Sequence, residues 1–285
     1  MNLSQTKDLM NRYQIRPTRS LGQNFLVDER AVLRIVELAA VGPDDHILEI
    51  GPGLGHLTVA LATRARSVTA IEIDRHLLPA LQEVLTPLPT VELIQADALT
   101  VDLRQLVSRT GRTIKVVANL PYYVTTELML KVLLEVVPCT GLYLMMQKEA
   151  AERIMGEPGS RAYSPIGVIA RSQGSMKRVL SVSQGSFYPQ PHVDSVVLQW
   201  LPAMTPLVSP DHLADFAIFV QACFRQRRKT LANSFAWPET WRRSGWQIIP
   251  METVLERTGL SPSVRAEALQ PAQLCELFST ILACQ

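Results

Sequence analysis

Cysteine is scarce in this chain and never locally paired. Cys139, Cys223, Cys275 and Cys284 are scattered through 285 residues with no C-x-x-C spacing. That argues against a zinc site or a disulfide framework and suits a reducing cytoplasm. No apolar run reaches the roughly 18 residues that a membrane helix needs. The opening residues, MNLSQTKDLM, lack an apolar signal region followed by small residues. Internal repeats and low-complexity tracts are also missing. Net charge is nearly absent, at +2, so the overall balance identifies no partner. A cytoplasmic chain with no membrane attachment and no metal is the expectation.

What is present is apolar content and local charge. At 47% hydrophobic the chain can build a sizeable core, and its length allows one large domain or two unequal ones. Residues 1–19 hold Lys7, Arg12, Arg16 and Arg19 against one acid, Asp8. Arg225, Arg227, Arg228 and Lys229 fall within five positions with no acid among them. Such clusters can neutralise phosphates, or can simply be solvated helix faces.

Residues 1–20 read as an irregular basic arm, because Pro17 argues against one continuous helix. A helix is expected at about 29–40. Just before it, Gln23 and Asn24 beside Phe25 either line a pocket or satisfy local backbone groups. Next, His46-Ile47-Leu48-Glu49-Ile50 runs into Gly51-Pro52-Gly53-Leu54-Gly55 and a helix at about 56–64. Glycines allow a sharp turn and close backbone approach to a ligand, although this G-x-G-x-G differs from the dinucleotide fingerprint. A second strand ends at Glu72, 21 positions after Gly51, where a carboxylate can take both hydroxyls of a ribose. Helix capping by Glu72 or Asp74 is the other reading. A third strand, Val91–Ala96, ends at Asp97, which can accept a hydrogen bond from an exocyclic amine or cap a helix.

The fourth strand, Thr113–Ala118, delivers Asn119-Leu120-Pro121-Tyr122. The Asn119 side chain and the Leu120 carbonyl can accept hydrogen bonds, and Tyr122 offers a flat π face, so the stretch could hold a planar amino-bearing ring. Alternatively Asn119 caps the next helix, with Pro121 in its first turn. A fifth strand follows at 141–146, then helices near 148–155 and 165–172, and β-rich segments near 176–183 and 194–201. Between those segments, Phe187-Tyr188-Pro189-Gln190-Pro191 makes a stiff loop. Phe187 either sits in a fixed place at a site or packs into the core.

Alternating strands and helices imply an α/β fold, a mainly parallel sheet with helices on both faces. The last two strands, joined without a helix, should form an antiparallel pair. A proline-rich linker, 201–210, precedes stretches that are all helical in period, at about 211–234, 250–258 and 271–283. The expected domains are 1–203 and a small all-helical unit at 204–285.

In this order and spacing the motifs resemble the small-subunit ribosomal RNA adenine dimethyltransferases. These are Rossmann-like class I S-adenosylmethionine enzymes that modify two adjacent adenosines near the 3′ end of 16S rRNA. The likeness covers nearly the whole chain. It rests on Gly22–Leu26, Glu49–Gly55, Glu72–Asp74, Asp97-Ala98, Asn119–Tyr122, Phe187–Ser195 and Phe224–Leu231. It implies S-adenosylmethionine contacts at Asn24, Leu26, Gly51, Glu72, Asp97 and Asn119, with Gln23, Gly53, Ile73 and Ala98 beside them. S-adenosylhomocysteine would be the product. Asn119 and Leu120 would accept the two amine hydrogens of the target, and Tyr122 and Phe187 would cover its two faces. Arg225, Arg227, Arg228 and Lys229 would hold phosphates. The implied partner is 16S rRNA within the small ribosomal subunit, met by a monomer. Tyr123 departs from the asparagine common at that position. Rival readings are a large-subunit rRNA adenine methyltransferase of the antibiotic-resistance type and a non-catalytic RNA-binding assembly factor.

Overall fold

Apolar runs bounded by glycine, proline or acids become strands, and the amphipathic stretches between them become helices. The computed structural model describes residues 1–18, 21–110, 114–137, 139–243 and 246–285. Arg19 and Ser20 of the arm and Thr113 at the expected start of the fourth strand lie outside the described residues. In chain order the first elements are α1 (Leu3–Arg12), β1 (Phe25–Leu26), α2 (Glu29–Leu38), β2 (His46–Ile50), α3 (His56–Ala62), β3 (Ser67–Glu72), α4 (Leu78–Leu85), β4 (Val91–Gln95), α5 (Leu103–Thr110), β5 (Ile114–Asn119), α6 (Thr125–Glu135) and β6 (Gly141–Gln147). There follow α7 (Lys148–Met155), α8 (Pro165–Gln173), β7 (Gly174–Val182), β8 (Phe187–Tyr188) and β9 (Ser195–Pro202). The C-terminal elements are all helical: α9 (Leu213–Phe224), α10 (Leu231–Ser234), α11 (Glu239–Arg243), α12 (Met251–Arg257) and α13 (Pro271–Leu282). Among the described residues no helix is long and apolar enough to cross a membrane.

The chain divides into two units, residues 1–151 with 176–202 and residues 152–175 with 203–285. In the first, one seven-stranded sheet has the order β4-β3-β2-β5-β6-β9-β7. Strands β2 to β6 pair in parallel, and β9 pairs antiparallel with β6. This is a mainly parallel sheet with an antiparallel strand toward one edge. Ile114 to Ala118 of β5 are all buried, because a central parallel strand is covered on both faces. The one charge in that run, Lys115, is held at 2.8 Å by Asp45 and donates to the Ala40 carbonyl. The strand order reverses between β2 and β5, and that switch point leaves a crevice beyond the strands' carboxyl ends.

The N-terminal arm is not irregular. Its residues 3–12 form α1, started by a reciprocal cap between Asn2 and Gln5. Thr6, Leu9 and Met10 form its buried face, and Leu9, Met10 and Ile15 join Phe25, Leu54 and Leu77 in one apolar cluster. Pro17 lies beyond the helix and does not interrupt it.

The second unit is built on aromatic packing. Phe216 and Phe219 of α9 meet Phe278 of α13 with ring centroids 5.4 and 5.7 Å apart, and Trp241 adds to the same core. The helix expected over 211–234 stops at Phe224, because Arg225 to Lys229 offer no apolar face, and resumes only as α10. Residues 152–175, expected in the catalytic domain, group with these helices. Within that unit the Tyr163 hydroxyl donates to the Leu269 carbonyl at 2.8 Å. A Cβ on Gly167 would lie 2.4 Å from the Ile154 carbonyl oxygen, so only glycine permits that approach.

Candidate active site

The crevice predicted by the strand order is a real cavity, enclosing about 970 Å³ with the open mouth included. Its walls come from residues 21–26, the glycine turn after β2, the ends of β3 and β4, and residues 119–124 after β5. The turn leaves β2 with left-handed backbone at Gly51 (φ 72°) and Gly53 (φ 59°), which side chains disfavour. A Cβ on Gly53 would also sit 3.0 Å from the Phe25 ring. Bare backbone therefore faces the cavity, and α1 backs this wall through its cluster with Leu54.

Acids are placed at successive strand ends. Glu72 is 4% exposed, and its carboxylate accepts N–H bonds from Gly53 at 3.1 Å and Asp74 at 2.8 Å. Burial raises its pKa, and those bonds oppose the shift. Asp97 accepts from the Leu99 N–H at 2.8 Å. Glu49, in the middle of β2, is 1% exposed, and its Oε2 has no partner among the described residues. Burial, opposed by the nearby Thr58 hydroxyl and reinforced by Glu72, pushes it up to about 8. Gln23 lines the cavity but has both ends occupied. Its amide donates to Asp74 at 2.7 Å and its oxygen accepts from the Thr18 N–H at 2.8 Å, so it holds the wall together. Asn24 donates to the Gly22 carbonyl. Leu26 and Ala98 are buried in the walls, and Ile73 is 42% exposed at the cavity.

Asn119 does not cap the following helix. That helix begins at Thr125 with Val124 before it and no side-chain cap, which leaves Asn119 for the cavity. Its Oδ1 is buried without a partner among the described residues. The Leu120 N–H is tied to the Met145 carbonyl at 2.9 Å. The Tyr122 ring lines the cavity, with its hydroxyl 3.0 Å from the Ser195 hydroxyl. Tyr123, 49% exposed, stands at the mouth.

Some expected site residues lie elsewhere. Phe187 is 3% exposed in a core cluster with Leu26, Val36 and Val197, and it is not part of the cavity wall. The cause is local pairing: β8 adds to β1, setting Phe187 opposite Leu26 and turning its ring into the core. Arg227 is not an open cation. Its guanidinium meets Glu267 at 3.1 Å and donates to the carbonyls of Arg161 and Ser160. Arg225, Arg228 and Lys229 are exposed. In the arm, Arg12 is paired with Glu83 at 2.7 Å. The sequence reading missed Glu49 and Ser195 as wall and support residues. For Glu49 the signal was an acid inside an apolar run; for Ser195 there was none beyond its place after the stiff loop.

The fold and the site are those of a class I methyltransferase. A donor such as S-adenosylmethionine fits the walls: bare glycine backbone, carboxylates at two strand ends, and the buried unpaired oxygens of Glu49 and Asn119. The chain belongs to the ribosomal RNA adenine dimethylase family, whose model matches residues 15–281. Members are S-adenosylmethionine-dependent rRNA adenine dimethyltransferases, and this chain is accordingly an enzyme of that kind. It is 36% identical over 282 residues to proteins named ribosomal RNA small subunit methyltransferase A from Bacillus mycoides (strain KBAB4) and Bacillus cereus (strain AH187), covering 98% of this chain and 96% of each relative. Among solved structures, the 23S rRNA methyltransferase ErmE matches with a TM-score of 0.65 and 29% identity over 90% of this chain and 99% of that one. A dimethyladenosine transferase from Plasmodium falciparum matches in fold, with a TM-score of 0.71 and 24% identity over 88% of this chain and 94% of that one.

Proposed function

We propose that this enzyme methylates N6 of two adjacent adenosines near the 3′ end of 16S rRNA, within the small ribosomal subunit and as a monomer in the cytoplasm. The observation that carries the proposal is the buried, unpaired Asn119 Oδ1, in one cavity with Glu72 and Asp97. Glu72 would take the ribose hydroxyls of S-adenosylmethionine, and Asp97 its adenine amine. Gly51, Gly53, Asn24, Leu26, Ile73 and Ala98 would enclose the rest. Bound there, the cofactor supplies an electrophilic methyl group.

The protein's task is alignment, because an adenine amine is a poor nucleophile whose lone pair is delocalised into the ring. The Asn119 oxygen and the Leu120 carbonyl accept the two amine hydrogens, which draws the nitrogen toward pyramidal geometry and frees its lone pair. Tyr122 stacks on one face of the base. The methylated nitrogen is acidic and sheds its proton to water, so no strong general base is required. One side chain and one carbonyl also tolerate an amine that has already lost a hydrogen, as the second transfer needs. The target base must leave its stack, which is easiest in an RNA loop. Arg225, Arg228 and Lys229 hold backbone phosphates.

The 36% identity to small-subunit enzymes, against 29% to ErmE, supports the small-subunit substrate. Labelled S-adenosylmethionine offered with unmodified small subunits should yield dimethyladenosine, and 23S rRNA should not. The opposite preference would overturn this reading. Asn119→Ala should lower transfer at least about a hundredfold, the scale of losing one aligned polar group, with the thermal midpoint preserved. Full activity in that variant would refute the mechanism.

A further inference from the structure

The parallel strands β5 and β6 end at one edge of the sheet. Because β9 runs the other way, its first residue, Ser195, arrives at that same edge, opposite Gln147. Ser195 is 0% exposed, and its hydroxyl lies 3.0 Å from that of Tyr122. Among the described residues neither hydroxyl has another hydrogen-bond partner. The preceding residue is fixed twice. The Asp194 carbonyl accepts the Lys148 N–H at 3.1 Å, and its carboxylate accepts the Gln184 N–H at 3.1 Å. Ser195 is therefore presented from a rigid point. A tyrosine ring turns about two side-chain torsions, and its far oxygen lies on the axis of the second, so a bond there fixes the direction of the ring's long axis and with it the place where the ring stands in the cavity.

We propose that Ser195 is a positioning residue that sets the Tyr122 ring for stacking on the target adenine. The inference rests on the adenine-methylating reading above. It also gives the segment 187–195 two anchors: Phe187 beside Leu26 of the cofactor wall at one end, and Ser195 against Tyr122 at the other.

The test compares Ser195→Ala, Tyr122→Phe, the double variant and Ser195→Thr in the full chain. Each single loss should lower kcat on small subunits about fivefold, the scale of one net hydrogen bond, while the Kd for S-adenosylmethionine by calorimetry stays within about twofold. The double variant should be no slower than either single one, and Ser195→Thr, which keeps the hydroxyl, should recover most of the rate. Losses that multiply, an unchanged Ser195→Ala, or a Ser195→Ala that loses cofactor binding along with rate would each overturn the proposal. A second readout needs no RNA. In 13C-tyrosine-labelled protein the Tyr122 Cζ signal, assigned by its loss in Tyr122→Phe, should shift in Ser195→Ala and return in Ser195→Thr. An unmoved signal overturns the tether. Wild-type protein that methylates no small subunit while this signal behaves as expected defeats the substrate reading and leaves the tether standing.

Discussion

Glu49 shows what one residue costs and supplies. Its unfolded value near 4.5 rises to about 8 in the folded chain, chiefly through burial. Between those values the folded chain holds a proton that the unfolded chain has released. The folded state then binds more protons, so stability falls as pH rises through that interval; below it the effect vanishes. Glu49→Gln imitates the protonated acid. It should match the wild type near about pH 4.5 and melt several degrees higher by about pH 8. Thermal scans across that range check this, and a gap that fails to widen toward alkali would count against it. The same residue marks a limit of reading by strand ends. That Asp97, Glu72 and Asn119 line one cavity was legible, because each ends or follows an apolar run that forms a parallel strand. An acid within the run, and an aromatic such as Phe187 that pairs with distant Leu26, depend on contacts that no local spacing records.

At the scale of elements, α1 is tied to α3 by one buried polar contact. The Thr6 hydroxyl lies 2.8 Å from His56 Nε2. Burial, with the N-terminal amine adding to it, lowers His56 to about 4, so the ring is neutral in this pairing. A depressed histidine contributes stability that is present above its unfolded value, near 6.5, and lost as pH falls toward about 4. Thr6→Val should remove roughly 1 kcal/mol and speed hydrogen exchange of the α1 amides about fivefold, while β5 amides stay protected. Equal acceleration in both would show that α1 has no separate stability. The sequence reading set α1 aside because Pro17 argues against one continuous helix, although that proline lies beyond the helix, whose buried face is Thr6, Leu9 and Met10. It extended α9 too far, carrying helical period into a run that has no face to bury. Parallel strands were the easiest elements to find, since burial on both sides leaves an uninterrupted apolar signature. The two-residue β1 and β8 were the hardest, being too short for any period.

On the scale of the whole molecule, the chain passes from the first unit to the second after Ala151, returns at Met176, and leaves again after Pro202. The third crossing coincides with the proline-rich linker and was visible in composition. The first falls within α7, where composition does not change, and what ties 152–175 to the C-terminal helices is a tertiary contact such as the Tyr163 hydroxyl to the Leu269 carbonyl. That unit also carries the run 225–229, whose four cations are not equivalent. Three are exposed, and the fourth, Arg227, ties the turn to Ser160, Arg161 and Glu267. The difference can be counted in displaced counterions. Each cation that replaces salt at a phosphate adds roughly 0.7 to the slope of log affinity against log salt for a single strand. Alanine at Arg225, Arg228 or Lys229 should flatten the measured slope for small-subunit RNA by about that amount. Arg227→Ala should leave the slope alone and lower the melting temperature, so the run should act toward RNA as three charges and a beam.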